Sequence, residues 1–360
     1  METLFKIIFL LSLFCLGLFP FASMLNKYFF KKQIKTVFYF TIIFNITFIF
    51  LFAISNLIKL DFLTSFSRFI NYYFGFLLYA FLVSITFWGI YEVLRKINKE
   101  RIILKNYVIV SLLTILVIIN STAIHNFHKL IAVEEYTIYS NKITKNYSFV
   151  QIADIQYGSV SKEHMEKVIK LAYAQDPDFI VFLGDLIDFE KYELKDFEVF
   201  EESKVPIYFV RGNHEYNKDP ERINEYLKLI TSIKYLRNQK DEFKEIEIVG
   251  IDYDSSKYQL KEKLKAIELD NNKFSLLLYH DPKGVEFAVK KGFDLALFGH
   301  THAGQIWPIT LLIDVMYEYG DGYYEEGDTK IYTTDGAGLW GPQMRLGSQN
   351  EISVFKLIAK

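Results

Sequence analysis

Along the first third of the chain, apolar positions run in long unbroken blocks; from about residue 147 they shorten to brief runs that end in polar clusters. The long blocks cover 4–25, 37–58, 72–91 and 107–124. Each offers about the 20 residues a helix needs to cross roughly 30 Å of hydrocarbon. They predict a four-helix transmembrane region at 1–125, a linker at 126–146 and a globular domain at 147–360. No ionisable residue falls clearly inside a block, so this half reads as an anchor rather than a transport path. Asn45 and Asn120 are polar exceptions suited to helix–helix hydrogen bonds. The first block has a thin basic flank, only Lys6, and no small-x-small site after it, so it reads as a retained helix.

Basic residues orient the blocks. Lys27, Lys31, Lys32 and Lys35 follow the first, and Arg95, Lys96, Lys99, Arg101 and Lys105 follow the third. Loops rich in Lys and Arg face the cytoplasm. Four crossings then leave the globular domain on the extracytoplasmic side. The stretch 60–71, with Phe62, Phe66 and Phe69, is expected to lie flat on the outer leaflet.

In the globular half, β-rich runs alternate with helical stretches. Strands are expected at 148–153, 179–183, 207–210, 244–251, 275–279, 295–298, 330–334 and 352–357, with helices at 163–174 and 258–267. Five of the runs end in tight turns carrying Asp, Asn or His. In open α/β architectures, ligands bind at the carboxyl ends of strands. The composition fits two unlike halves: 51% of residues are hydrophobic overall, and a net charge of −2 conceals a basic N-terminal region and an acidic C-terminal one. An acidic globular domain argues against a nucleic-acid partner. One Cys, Cys15, excludes an intrachain disulfide framework, and no disulfide-linked partner is expected.

The turn residues are Asp154-Ile155-Gln156, Gly184-Asp185-Leu186-Ile187-Asp188, Gly212-Asn213-His214-Glu215, His280, and Gly299-His300-Thr301-His302. Carboxylate, amide and neutral imidazole together suit Mn²⁺, Fe or Zn²⁺ rather than thiophilic metals. Asp154, Gln156, Asp185, Asn213, His280, His300 and His302 are too many ligands for one catalytic ion. They suit two ions about 3.5–4 Å apart that share one carboxylate.

These motifs resemble those of the calcineurin-like metallophosphoesterases, D-x-H, G-D-x-x-D, G-N-H-E, a lone His and G-H-x-H. The run Gly299-His300-Thr301-His302-Ala303-Gly304-Gln305, with Pro342, Arg345, Leu346, Gly347, Glu351 and Ile352, resembles the bacterial membrane-associated branch. The resemblance covers 147–360 and implies a four-layer α/β/β/α sandwich with a di-metal centre. It implies that Asp154, Gln156, Asp185 and His302 hold one metal, and that Asp185, Asn213, His280 and His300 hold the other. His214 takes the position that contacts the phosphate and assists the leaving group; Asp188 and Glu215 take positions that orient ligands. Gln156 departs from the usual His, which biases the first site towards Mn²⁺ or Mg²⁺ over Zn²⁺. Members that cleave nucleoside diphosphates also carry D-x-Q.

The expected activity is hydrolysis of a phosphodiester or pyrophosphate bond, of a lipid-linked or envelope substrate, by water activated between two divalent ions. A phosphomonoesterase or phosphoprotein phosphatase, and a catalytically silent membrane scaffold, are the alternatives. Arg211 and Arg345 are candidates to grip a phosphate, with structural ion pairs the competing reading. Trp307 and Trp340 are expected in core or loop packing, with a place beside the site or at the membrane surface the competing reading; His164 is expected on a solvated helix face, and Glu325, Glu326 and Asp328 in a solvated turn.

Overall fold

The computed structural model describes residues 61–96, 102–188, 192–218 and 220–360. The apolar blocks at 4–25 and 37–58, with Cys15 and Asn45, lie outside them. Two helices come first, α1 (Asp61–Lys96) and α2 (Ile102–His128). α1 is 36 residues long and takes in 61–71, which therefore continues the helix of the third block rather than forming a separate surface element. Within α2, Val110–His128 is, among the described residues, the one segment long and apolar enough to cross a membrane; Gly75–Phe87 of α1 is a shorter apolar stretch. Asn120 is satisfied within its own helix, donating to the Leu116 carbonyl at 2.8 Å.

The chain divides into a helical unit, which ends at His125 and includes Gly341–Met344, and an α/β unit made of Asn126–Trp340 and Arg345–Lys360. In the helical unit the Tyr72 hydroxyl donates to Gln343 at 2.7 Å.

The α/β unit continues through β1 (Ala132–Ser140), β2 (Tyr147–Ile152), α3 (Lys162–Tyr173), β3 (Phe179–Phe182), a 3-10 turn at Leu194–Glu202 and β4 (Ile207–Phe209). Next come α4 (Asn213–Lys218), α5 (Pro220–Leu229), β5 (Ile233–Tyr235), β6 (Gln239–Phe243), β7 (Ile246–Gly250), α6 (Lys257–Lys265) and β8 (Phe274–Leu278). The unit closes with α7 (Val285–Lys291), β9 (Leu295–Phe298), α8 (Thr310–Met316), β10 (Gly322–Glu326), β11 (Thr329–Thr333) and β12 (Glu351–Ala359).

The strands build two mixed six-stranded sheets, ordered β1-β12-β2-β3-β4-β5 and β10-β11-β9-β8-β7-β6. Within them β2 to β5 run parallel, as do β7, β8, β9 and β11. Alternate residues of one strand serve two cores: Phe149 and Val181 pack between the sheets, whereas Val150, Ile180 and Phe182 pack outward. Strands buried on both faces read as continuous apolar runs, which explains the runs noted above. Met165, Val168 and Ile169 of α3 and Ile223 and Leu227 of α5 cover the first sheet. Leu260 and Leu264 of α6 and Val285 and Ala288 of α7 cover the second. The result is helix, sheet, sheet, helix.

The segment 126–146, expected as a linker, instead belongs to this unit. Its β1 pairs in parallel with β12 from Ala132–Glu351 to Ser140–Ala359. Edge strands keep one side open to solvent, and the polar Glu134, Glu135 and Thr137 of β1 obscure it as a strand. For the same reason Glu325 and Glu326 lie on edge strand β10 rather than in a turn.

Candidate metal centre

Parallel strands with helical crossovers put their carboxyl ends on one side, and the motif residues follow those ends directly. Asp154 and Gln156 come after β2, Asp185 after β3, Asn213 and His214 after β4, His280 after β8, and His300 and His302 after β9. Asp154, Gln156, Asp185, His300 and His302 all have positive φ, between 51° and 73°. Left-handed backbone at a non-glycine residue is disfavoured and clusters at functional sites, where the surrounding structure holds it in place. Glycines make room for these turns. A Cβ on Gly212 would come 2.2 Å from Asp185 Oδ1, and one on Gly299 would come 2.5 Å from Asp154 Oδ2.

The loops are tied from beneath. The buried Glu215 carboxylate accepts from the backbone N–H of Asp185 at 2.8 Å, Ile187 at 3.1 Å and Gly212 at 3.0 Å. Asp154 Oδ2 accepts from His300 N at 2.9 Å, and Asp185 Oδ1 accepts from His214 N at 2.8 Å. The His280 Nδ1 contacts the Leu183 carbonyl at 2.7 Å, which turns Nε2 inward. An imidazole held this way is oriented for a ligand on its other nitrogen.

Asp185, His280 and His300 place ligand atoms within 4.8 Å of one another. Asn213 Oδ1 joins them, 2.9 Å from His280 Nε2 and 2.7 Å from His300 Nδ1. On the other side of Asp185, Gln156 Nε2 lies 3.5 Å from its Oδ2 and 3.2 Å from His302 Nε2, and His302 lies 3.6 Å from Asp154. Asp154 Oδ1, Gln156 Oε1 and His302 Nδ1 are buried and have no hydrogen-bond partner among the described residues. Buried polar atoms without partners are costly. Three in one cluster of oxygen and imidazole donors fit a divalent cation. The structure therefore gathers all seven expected ligands into two adjoining groups, with Asp185 between them.

Electrostatics agree with a site built for cations. Burial, then the charge of His280, lowers the His300 imidazole to about 4. Burial, then Arg345, holds His302 well below its ordinary value. Both are neutral at pH 7, with lone pairs available. Burial raises the Asp154 carboxyl to about 7. For His280, burial opposes the charged form, but Asp185, Asp154 and the Leu183 carbonyl together outweigh it and lift the imidazole to about 10. A cation held by these groups would have to displace the His280 proton at neutral pH and, below about 7, the Asp154 proton as well. Affinity should thus fall with acidification. Calorimetric titration with Mn²⁺ in two buffers of different ionisation enthalpy should count more protons released at pH 6 than at pH 8. A proton count that does not rise on acidification would contradict this assignment.

His214 Nδ1 lies 2.9 Å from Asp188 Oδ1, and its Nε2 lies 3.8 Å from Asp185 Oδ2. Asp188 also accepts from the Ser159 hydroxyl. Both arginines take structural roles, the competing reading for them. Arg345 is fully buried, and its guanidinium donates to the carbonyls of His302, Asp335, Gly336 and Gly338 and to the side chains of Ser348 and Asn350. It organises the loops behind His302 and offers no donor to a ligand from solvent. Arg211 is buried against Asp252 at 3.1 Å and lies over the Tyr216 ring. His164 is not solvated either: it stacks on Phe127 at 5.3 Å, lies 2.7 Å from the Ala337 carbonyl, and is lowered by burial.

Motif reading missed one side of the site. The ring centroids of Tyr253 and Tyr317 lie 6.2 and 6.3 Å from that of His300. Lys283 lies over the Tyr317 ring, and Asp281 is 4.0 Å from His300 Nε2. The adjacency of Asp281 and Lys283 to His280 was the available signal.

A family profile described as calcineurin-like phosphoesterase matches residues 147–304. An uncharacterized metallophosphoesterase of Campylobacter jejuni is 30% identical over 276 residues, 74% of each chain. Another, of Helicobacter pylori, is 29% identical over 299 residues, covering 78% of this chain and 79% of its own. A Bos taurus transmembrane protein with metallophosphoesterase domain is 28% identical over 237 residues, 58% of this chain and 52% of its own. The chain belongs to the calcineurin-like metallophosphoesterase family, whose members are metal-dependent phosphoester hydrolases.

Proposed function

We propose that this protein is a membrane-anchored di-metal phosphoesterase that cleaves phosphodiester or pyrophosphate bonds on the extracytoplasmic side. The observation that carries the reading is the position of Asp185, whose carboxylate lies 3.4 Å from His280 Nε2 and 3.5 Å from Gln156 Nε2, one in each donor group. Asp154, Gln156 and His302 would hold one ion and Asn213, His280 and His300 the other, with Asp185 shared. Two divalent ions held there would supply a water of near-neutral pKa and offset phosphate charge. The protein's own part is positioning and proton transfer. Glu215 fixes the loops bearing Asp185 and Asn213. Asp188 holds His214 by Nδ1, and a protonated His214 donates from Nε2 to the departing oxygen. Gln156 brings an amide where imidazole would favour Zn²⁺, so Mn²⁺ is the preferred activator.

Membrane anchoring is supported by α2, where Val110, Val117 and Ile118 stand 57–65% exposed. An apolar helix buried in a soluble core would cover such side chains. Asn126 and Phe127 at the end of α2 already belong to the α/β unit, so almost no chain separates the anchor from the hydrolase, which supports lipid-linked substrates.

The test uses the full chain, purified in detergent and stripped of metal. Restoring Mn²⁺ should give hydrolysis of bis-p-nitrophenyl phosphate above that of p-nitrophenyl phosphate. Preference for the monoester would instead identify a phosphomonoesterase. Absence of turnover with Mn²⁺, Mg²⁺ and Zn²⁺ alike would make the protein a scaffold.

A further inference from the structure

Helix α8 exposes apolar side chains that nothing in the α/β unit covers. Leu311, Leu312, Val315 and Met316 are 53–82% exposed. With 3.6 residues per turn, these four lie within an arc of roughly 140°, and Asp314 and the buried Ile313 fall outside it. Trp307 just before the helix and Trp340, whose backbone N–H is held by Gln305, are exposed as well. Soluble monomers seldom leave a contiguous apolar surface of this kind without a partner.

Backbone bonding says where this surface lies. The loop leading into α8 is held to the 345–346 segment: Leu346 N donates to the Gln305 carbonyl at 3.0 Å, and Trp307 N donates to the Leu346 carbonyl at 2.7 Å. The same segment receives the end of α2, since Asn126 Nδ2 donates to the Arg345 carbonyl at 3.2 Å. Asn350 Nδ2 then fixes the Phe127 carbonyl at 2.8 Å. Trp340 N is bonded to Gln305 Oε1 at 2.7 Å. The apolar helix and both tryptophans are therefore tied, through one short stretch of backbone, to the end of the helix long enough to cross a membrane. Leu130, two residues past that helix, is 81% exposed.

We infer that α8, with Trp307 and Trp340, docks into the outer boundary of the same bilayer that receives α2, and forms the membrane-facing rim of the metal centre. This rests on the membrane reading given above. Tryptophans suit that boundary, with an apolar body and one polar N–H, and an amphipathic face buries its apolar side in the headgroup–acyl zone. The position of α8 gives the docking a purpose. The chain enters it from the turn bearing His302 and leaves it at Tyr317, whose ring faces His300. Both donor groups are thus bracketed by a segment resting in lipid, so a phosphoester in the headgroup layer reaches them without leaving the membrane surface.

The test uses the full chain with Cys15→Ser and Val315→Cys, labelled with a polarity-sensitive fluorophore. It is placed at one chain per nanodisc of phosphatidylethanolamine and phosphatidylglycerol. A control carries the label at Tyr258→Cys, an exposed position on α6. Hydrolysis of bis-p-nitrophenyl phosphate serves as the folding check. Emission from 315 should be blue-shifted and should fall as nitroxide-bearing lipid is added, while emission from 258 stays unchanged. An unquenched label at 315, in a chain that resists carbonate extraction from membranes, would overturn the docking of α8 and leave the anchor standing. Release of the chain by carbonate would remove both. A blue shift seen only when several chains share a disc would assign the face to a second copy and overturn the lipid docking.

Discussion

Asp185→Asn should cut metal-dependent diester hydrolysis by about a thousandfold, the equivalent of about 4 kcal/mol of transition-state stabilisation. The amide keeps the shape of the carboxylate but loses its charge and one acceptor. Four contacts make this position different from the other ligands. Its Oδ2 faces both donor groups, its Oδ1 receives the His214 N–H, and its own N–H is held by Glu215. The substitution thus weakens both sites at once. Activity measured against Mn²⁺ concentration separates this from simple loss of affinity: saturating Mn²⁺ should not restore the rate. Full restoration at high Mn²⁺ would show that Asp185 serves only one ion.

Arg345→Ala should lower unfolding stability by about 3–5 kcal/mol, because truncation leaves buried partners unsatisfied. The guanidinium gathers carbonyls from three points of the glycine-rich loop and one from His302, and ties them to Ser348 and Asn350. No other side chain offers so many donors in one plane, so Arg345→Lys should recover only part of the loss. Chemical denaturation of the purified chain measures both. An alanine variant as stable as the parent would show that water replaces the guanidinium. Activity should fall along with stability, since the His302 carbonyl loses its anchor.

How much of this could be read beforehand follows from burial. Strands β2, β3, β8 and β9 are covered on both faces, so each is an apolar run, and the change to Asp, Gly or His at its end marks the point where strand gives way to a buried polar turn. That contrast made the ligand set legible. It also explains the failures. β1, β6 and β10 are edge strands with polar faces, and their sequences resemble connecting loops. For Arg345 the sequence leaves a phosphate grip and a structural ion pair both open, because a fully buried guanidinium is rare; only the carbonyls folded around it reveal its role. The rim formed by Tyr253 and Tyr317 comes from loops far apart in sequence, and no spacing rule connects them. His164 misled for a related reason. Its helix face looks polar in isolation, and the Phe127 ring that covers it arrives from the end of α2.

The place of β12 sets the order in which the protein can be made. It lies between β1 and β2, pairing with one in parallel and the other antiparallel. Both neighbours leave the ribosome roughly 200 residues before it, and pairing over such a separation is slow. During that interval the partly made sheet has an open slot next to an apolar edge. The nascent chain must keep that slot vacant while synthesis continues, a period in which unpaired strands are prone to wrong association. Closure of the slot completes the first sheet and draws the end of α2 against it, so assembly of the hydrolase finishes with a strand made late rather than with the residues of its centre.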